Sequence, residues 1–464
     1  MKMTMKAQNY EREFFDRTFR FVEQSLCPSD VRLALSRLET AKVAIVADEE
    51  TLKATNGQHM TVLAANLLSR FCRHIDLFVP HSIETQLRLP ILSHGNLITS
   101  LEDLCRQINP HGIFRGNPPQ DHLYDASLVI GKGMVLRRNT IFINSDGWIA
   151  CVSTDGEIIS AMHNENAIGA HLAACFGAAE VFKGIFRGVE GIKEKYTKPL
   201  NSLSYSPLNN IPNEEPDENP RLPSKLDLGT IHLIGAGAVG CPVAYVLASI
   251  PGLSGRIIVT DPQSIETSNL NRLPLALNSD VGDKKVEVIR KIATPNLEVS
   301  IQPNTFQEYF QEVGSPIVDL IVDTVDDVET HWFVQRIFPR VLLNGGTIVE
   351  DVNLVRIDDF LNKSCLGCIY PRSSSQAVAG VPYATISFIS MMTGILLAAE
   401  ILKEKVASLG RYKLNNMVVF NGLDARKMHR KITRTDKLDS CGINCKSKDT
   451  VKLYRTRRFT QVGE

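Results

Sequence analysis

The sequence predicts an α/β chain of two doubly wound, mostly parallel sheets, the second intact and the first a degenerate copy of it. Three observations predict this. Strand and helix patterns alternate in the same order through both halves. A glycine-rich turn, Gly235-x-Gly237-x-x-Gly240, opens the second half, and an acidic stretch holds the matching place in the first. Each half then ends in an apolar helix with a similar hexapeptide, AAEVFK at 178–183 and AAEILK at 398–403.

The elements follow in order. The first half has a strand at 42–46, a polar loop reaching Gly57, a helix at 60–72, a strand at 75–79 and a later strand at 127–130. The second has a strand at 231–234, the glycine turn, a helix at 242–248, a strand at 256–260 and a later strand at 317–322. Ala, Glu and Leu fill helices anyway, so one hexapeptide says little. Its recurrence after the same series of elements supports duplication. Between the halves, six prolines at 199–223 alternate with Asn, Glu and Asp. Too few apolar residues stand there to build a core. This places a linker at 195–228, between units at 1–194 and 229–464.

Composition narrows the function. A hydrophobic fraction of 44% and a charged fraction of 22% suit a soluble globular protein. Lys plus Arg and Asp plus Glu both count 51, so no basic excess marks the whole chain for nucleic acid. The opening MKMTMKAQNYEREFF has no apolar run of a signal peptide. The apolar segment 383–402 carries Thr385, Ser387, Ser390, Thr393 and Glu400, which suits a buried helix better than a membrane span. A cytoplasmic protein is expected, with its ten cysteines reduced or metal-bound.

The glycine turn follows a strand and opens a helix, the context in which backbone N–H groups cradle a phosphate. Pro242 fits the first helical turn, where its missing N–H costs nothing. Asp261 ends the next strand and can accept hydrogen bonds from ribose hydroxyls. To this point NAD and ATP fit equally. Asn269 and Arg272 stand just past that strand. In the helix read from DVGDKKVEVIRKIA, Lys285 shares a face with Val288, Ile289 and Ile292. Lys285 either snorkels to water or reaches an anion. Two cations beside a phosphate turn suit a triphosphate better than a hydride carrier. Asp323, Asp326 and Asp327 fall at the carboxyl edge of the second sheet. There a carboxylate can hold magnesium (Mg2+) with phosphate oxygens, or cap the following helix. In the first copy Asp48, Glu49 and Glu50 replace the glycines and would repel a phosphate.

Cys365-x2-Cys368 lies 73 positions before Cys441-x3-Cys445. Two close thiolate pairs suit tetrahedral structural zinc (Zn2+), with free thiols or a redox pair as alternatives.

The run from Gly235 to Asp326, with SNLNR, GDKKVE and VDD in order, resembles the adenylation domain shared by ubiquitin-activating enzymes and the ThiF and MoeB adenylyltransferases of the thiamin and molybdopterin pathways. The family's usual TDN stands here as Val325-Asp326-Asp327. The resemblance implies a Rossmann-like fold that binds ATP. It places Asp261 on the ribose, Asn269, Arg272 and Lys285 around the phosphates, and Asp326 on magnesium. It implies attack by a protein's C-terminal glycine carboxylate on the α-phosphate, giving an acyl-adenylate and pyrophosphate. NYEREFF resembles the family's YxRQ opening, which makes Arg12 an arginine finger, with Arg17 and Arg20 as competitors. Whether Arg12 would act within its own chain or across a homodimer stays open.

A degenerate copy joined to an active one resembles the pseudo-dimer of ubiquitin-activating enzymes. With no large inserted cysteine domain, the chain is similar to the activating enzymes of bacterial antiphage ubiquitin-like conjugation operons. That implies two partners, a ubiquitin-like protein and a ubiquitin-conjugating-type enzyme. Relatives carry the thioester cysteine in a crossover stretch like TCAEAGV. The corresponding stretch 375–381 has Gln376 in that place, so no catalytic cysteine is assigned, and Cys241 reads as core. Adenylation for sulfur transfer or peptide modification is the sibling alternative. An NAD-dependent oxidoreductase is the alternative from a different class.

Overall fold

The computed structural model describes residues 5–26, 28–119, 123–132, 139–156, 163–192, 194–214, 216–314, 320–372, 384–424 and 437–460. The first sheet contains β1 (Lys42–Ala47), β2 (His74–Phe78), β3 (Ile113–Gly116), β4 (Ala126–Ile130), β5 (Thr140–Asp146), β6 (Ile149–Ser153) and β7 (Ser202–Tyr205). The second contains β8 (Leu226–Ile234), β9 (Leu253–Thr260), β10 (Leu297–Gln302), β11 (Leu320–Asp323), β12 (Val341–Ile348), β13 (Asp351–Ile357) and β14 (Met417–Asn421).

The first sheet is ordered β3-β2-β1-β4-β5-β6-β7 and the second β10-β9-β8-β11-β12-β13-β14. These are one topology used twice. In both, five parallel strands are followed by two antiparallel ones. The inner parallel strands β1, β4 and β11 are near-continuous apolar runs, as strands covered on both faces must be.

The segment read as a linker contributes a strand. β7 pairs with β6 and closes the first sheet, with Leu200, Leu203, Tyr205 and Leu208 buried. Apolar residues spaced between prolines suffice for one short edge strand.

The repeated hexapeptides prove to be one device. In helix Ile168–Phe186, Glu180 pairs with Lys183 and accepts the backbone N–H of Leu200 at 3.2 Å. In helix Ser387–Lys405, Glu400 pairs with Lys403 at 2.6 Å and accepts the N–H of Leu414 at 3.1 Å. Each buried pair pins the chain just before the last strand of its sheet. A pair so deeply buried needs further hydrogen bonds to persist, and besides the two backbone N–H groups Lys183 donates to the Lys198 carbonyl at 3.0 Å.

The two sheets meet through helices. Ile168–Phe186 packs on Ser387–Lys405, and the rings of Phe71 and Phe182 each lie 5.8 Å from that of Phe388. Ile168–Phe186 has the length and apolarity of a membrane span, yet it is wholly buried. Its apolar surface is spent on packing inside the fold.

Candidate functional site

The glycine turn begins where β8 ends. Gly235 has φ of +93°, which side chains rarely tolerate. A Cβ on Gly240 would stand 1.9 Å from the Gly235 carbonyl oxygen, so only glycine lets the helix start so close to the turn. A Cβ on Gly237 would meet nothing within 4 Å. The fold itself does not require that glycine, and the open side is where a ligand can approach. Thr324, after β11, donates its hydroxyl to the carbonyls of Ile234 at 2.8 Å and Gly235 at 3.0 Å. Asp261 accepts from Ala236 N–H at 2.8 Å and from Gln263 N–H at 2.8 Å. The residue placed on a ribose thus also holds the turn in shape.

The first copy keeps the same close approach. A Cβ on Gly57 would stand 2.0 Å from the Thr51 carbonyl oxygen. Its cradle, however, is filled by the short helix Glu49–Leu52. Asp48 caps that helix through Thr51 N–H at 2.8 Å and Thr51 Oγ1 at 2.7 Å, and also takes Lys132 N–H at 2.7 Å. Acidity and occupancy together remove the phosphate site.

Lys285 opens helix Lys285–Arg290, shorter than the sequence pattern because Gly282 turns at φ of +102° before it and Pro295 follows it. The lysine is 8% exposed, and its Nζ donates to Gln263 Oε1 at 2.5 Å. Burial lowers its pKa, Asp261 opposes this, and Arg272 reinforces it. Arg272 donates to Ser268 O at 2.7 Å and Asn271 Oδ1 at 2.9 Å. Its own pKa is lowered by burial and then by Arg17. Asn269 is buried in the turn Thr267–Asn269, where its Oδ1 accepts Glu266 N–H at 3.2 Å.

The structure does not bring Arg12 to this place. Arg12 is exposed on helix Met5–Phe21, and among the described residues it has no hydrogen bond or ion pair with the site. Arg17, on the same helix, shares the fields of Glu266 and Asp326 with Arg272. Five residues turn a helix by about 140°, so the two arginines face different ways. A four-residue motif says nothing of that phase. Arg20 is held by Asp16 at 3.1 Å.

The aspartates divide their work. Asp327 caps helix Val328–Ile337 through Thr330 N–H at 2.8 Å and Thr330 Oγ1 at 2.6 Å. Asp323 is buried, with Oδ2 2.7 Å from His331 Nδ1. Burial would lower the pKa of His331, but the Asp323 carboxylate outweighs it and holds the imidazole above its usual value. Asp326 is exposed at the mouth of the turn, with no protein hydrogen bond among the described residues. That leaves it as the carboxylate available to a cation. For the adenylation that the sequence resemblance implies, Asp326→Ala is expected to abolish ATP–pyrophosphate exchange with the thermal midpoint unchanged. Asp327→Ala is expected to cost about 1 kcal/mol of stability in thermal unfolding and to retain exchange.

Cys365, Cys368, Cys441 and Cys445 are buried, and their sulfurs all lie within 4.8 Å of one another. The close pairs are 3.5, 3.6 and 3.7 Å apart. Zinc–sulfur bonds of about 2.3 Å in a tetrahedron put sulfurs roughly 3.8 Å apart, so the four fit zinc. Leu438 N–H donates to Cys368 Sγ at 3.4 Å, as a second layer around a thiolate should. A Cβ on Gly367 would stand 2.8 Å from Cys441 Sγ, which explains the glycine between the first two ligands.

The cluster also reaches toward the site, through Tyr370. That ring stacks on His331 at 4.4 Å, and its hydroxyl donates to Asn344 Oδ1 at 3.0 Å. Asn344 in turn donates to the Asp323 carbonyl at 3.2 Å. Sequence reasoning missed this network, since nothing local links residues 323, 331, 344 and 370. The crossover stretch 375–381 with Gln376 lies outside the described residues, as does Cys27. Cys72, Cys105, Cys175 and Cys241 are buried, and Cys151 is partly buried. Burial pushes the thiols of Cys105 and Cys241 up to about 12, so neither is a ready nucleophile.

Comparison with known proteins matches residues 219–443 to the ThiF family and residues 46–187 to prokaryotic E2 family C. The uncharacterized protein y4jF of Sinorhizobium fredii is 31% identical over 366 residues, covering 77% of this chain and 66% of that one. The adenylyltransferase and sulfurtransferase MOCS3 of Drosophila willistoni is 27% identical over 208 residues, covering 43% of this chain and 45% of that one. The ubiquitin-activating enzyme E1 1 of Candida albicans is 28% identical over 172 residues, covering 34% of this chain and 16% of that one. The chain thus spans less than two thirds of the length of each.

Proposed function

Since this chain belongs to the ThiF family through residues 219–443, we propose that it adenylates the C-terminal glycine of a ubiquitin-like protein with ATP. The observation that carries this reading is the gathering of Arg17, Arg272 and Lys285 with Asp261 and Asp326 around an open glycine turn. A carboxylate oxygen of the partner attacks the α-phosphorus. The bond from that phosphorus to the bridging oxygen breaks, leaving an acyl-adenylate and pyrophosphate. Negative charge gathers on the phosphoryl oxygens as this happens, and cations already in place lower its energy. Lys285 and Arg272 act from the second half and Arg17 from the first. Asp261 orients the ribose, and the N–H groups of the turn meet the phosphates. Magnesium on Asp326 would screen the triphosphate, while zinc held by the four cysteines would be structural.

The E2 family C match over residues 46–187 favours a ubiquitin-like partner, with a ubiquitin-conjugating-type enzyme downstream. The first half then acts as the inactive member of an intramolecular pseudo-dimer, in a cytoplasmic, antiphage conjugation pathway. The last point rests on sequence resemblance alone. A second reading is adenylation of a sulfur carrier or peptide. It is favoured by Gln376 at the thioester position and by the likeness to an adenylyltransferase and sulfurtransferase.

ATP–pyrophosphate exchange with candidate ubiquitin-like proteins, sulfur carriers and peptides tests the reading. No exchange with any of them, together with NAD binding, would sink it. A thiol-sensitive adduct on a non-reducing gel separates conjugation from its sibling. Within the reading, Arg17→Ala is expected to lower the exchange rate on the order of 100-fold, and Arg12→Ala to leave it unchanged. The reverse result would restore Arg12 as the finger, acting across a dimer.

A further inference from the structure

The first half has lost its own cradle, yet it holds a part of the other one. Arg70 follows helix Thr55–Ser69 and is fully buried. Among the described residues its hydrogen bonds reach no carboxylate. Nε donates to Asn66 Oδ1 at 2.8 Å, and Nη1 donates to the Leu270 carbonyl. Nη2 donates to the carbonyls of Pro274 at 3.2 Å and Ala276 at 3.1 Å. Asn66 adds its amide to the Pro274 carbonyl at 2.9 Å. The loop that these two residues grip begins one position after Asn269 and carries Arg272. On its other side, Asn271 Nδ2 donates to Thr18 Oγ1 at 3.4 Å, and Tyr10 donates to Asn278 Oδ1 at 2.8 Å.

The geometry points to Arg70 and Asn66 as positioning residues that set the loop bearing Asn269 and Arg272 from the opposite half of the chain. The role of that loop on phosphates rests on the adenylation reading above. Burying a guanidinium among carbonyl dipoles alone is costly, and burial pushes its pKa down to about 10. Packing alone gives no reason for such a group, because an apolar side chain would fill the space without that cost. A planar fork explains it, since three carbonyls at different points of one loop need donors in fixed directions. A lysine offers donors from a single point. Arg272 is in turn oriented by Ser268 O and Asn271 Oδ1 within the gripped segment. The clamp therefore reaches the phosphate site through one short stretch of backbone. It also gives the first half a task that survives the loss of its nucleotide cradle.

The test uses the full chain with Arg70→Met, Arg70→Lys and Asn66→Ala. Two readouts are taken: amide hydrogen exchange of peptides covering 268–277, and KM and kcat for ATP in pyrophosphate exchange. Arg70→Met is expected to speed hydrogen exchange in 268–277 at least tenfold and to raise KM for ATP by about tenfold or more. Arg70→Lys should fall between it and the parent. A merely reduced folded fraction lowers kcat and leaves KM alone. Unchanged KM and unchanged local protection in folded Arg70→Met overturn the proposal. If Arg70→Met does not fold, Asn66→Ala decides by the same two readouts. If the parent chain shows no exchange with any acceptor, the adenylation reading falls. Hydrogen exchange then judges the clamp by itself, and unchanged protection at 268–277 refutes it.

Discussion

Replacing Lys285 with methionine is expected to lower ATP–pyrophosphate exchange by about 10²–10³-fold while leaving the thermal midpoint the same or higher. The two effects have opposite signs for one reason. The lysine stem already lies among apolar residues, and burial penalises its ammonium group. Methionine keeps the stem and removes the penalty, but a charge-stabilising group is lost. A lysine that only snorkels gives the contrary result, with exchange intact. The pH dependence has a definite sign. The folded pKa lies below the ordinary lysine value of 10.5. Between the two values the unfolded chain binds more protons, so this group makes stability rise with pH across that window. The contribution should vanish in Lys285→Met, as urea unfolding at several alkaline pH values would reveal. Bound ATP should shrink it in the parent, because phosphates favour the charged form.

The second large expected effect is loss of the metal that the four cysteines fit. Structural zinc in small domains contributes on the order of 10–16 kcal/mol of apparent binding energy at neutral pH. Cys365→Ser should therefore lose the bound metal, measured by elemental analysis, and show fast hydrogen exchange over 360–372 and 437–460. Unchanged zinc content would remove Cys365 from the ligand set. A further loss of ATP–pyrophosphate exchange is expected through Tyr370. Its ring and hydroxyl brace His331 and Asn344, behind the strand end that carries the aspartates. Tyr370→Phe keeps the ring and removes only the bond to Asn344, so it should keep zinc and lose part of the activity.

Much of the site was legible because its chemistry is written locally. The glycine turn, Asp261 at the end of β9 and the aspartate run after β11 each sit where one element hands over to the next, and composition marks such places. The cysteine pairs were legible for the same reason, since ligand spacing within each pair is short. Phase and length were not legible in the same way. Arg12 and Arg17 are both on one helix, and only packing shows which of them faces Glu266 and Asp326. The prolines of 199–223 suggested a linker, but hydrogen bonds from β6 turned part of that stretch into β7. Residue chemistry alone let either Asp326 or Asp327 cap the next helix; the family resemblance put the metal on Asp326, and the structure gives the cap to Asp327.

Reading residues in order was enough to establish a duplicated α/β chain, a glycine turn in its second copy and four cysteines in two pairs. These follow from periodicity and short spacing, which act over a few residues. Long-range packing alone shows that Arg70 grips a loop 200 positions away, that Arg17 lies in the field of Glu266 and Asp326 while Arg12 is exposed, and that helix Glu49–Leu52, capped by Asp48, stands where the second copy has its glycine turn. Such contacts join elements far apart in the chain. Their geometry depends on how two sheets pack, and no local pattern carries that information.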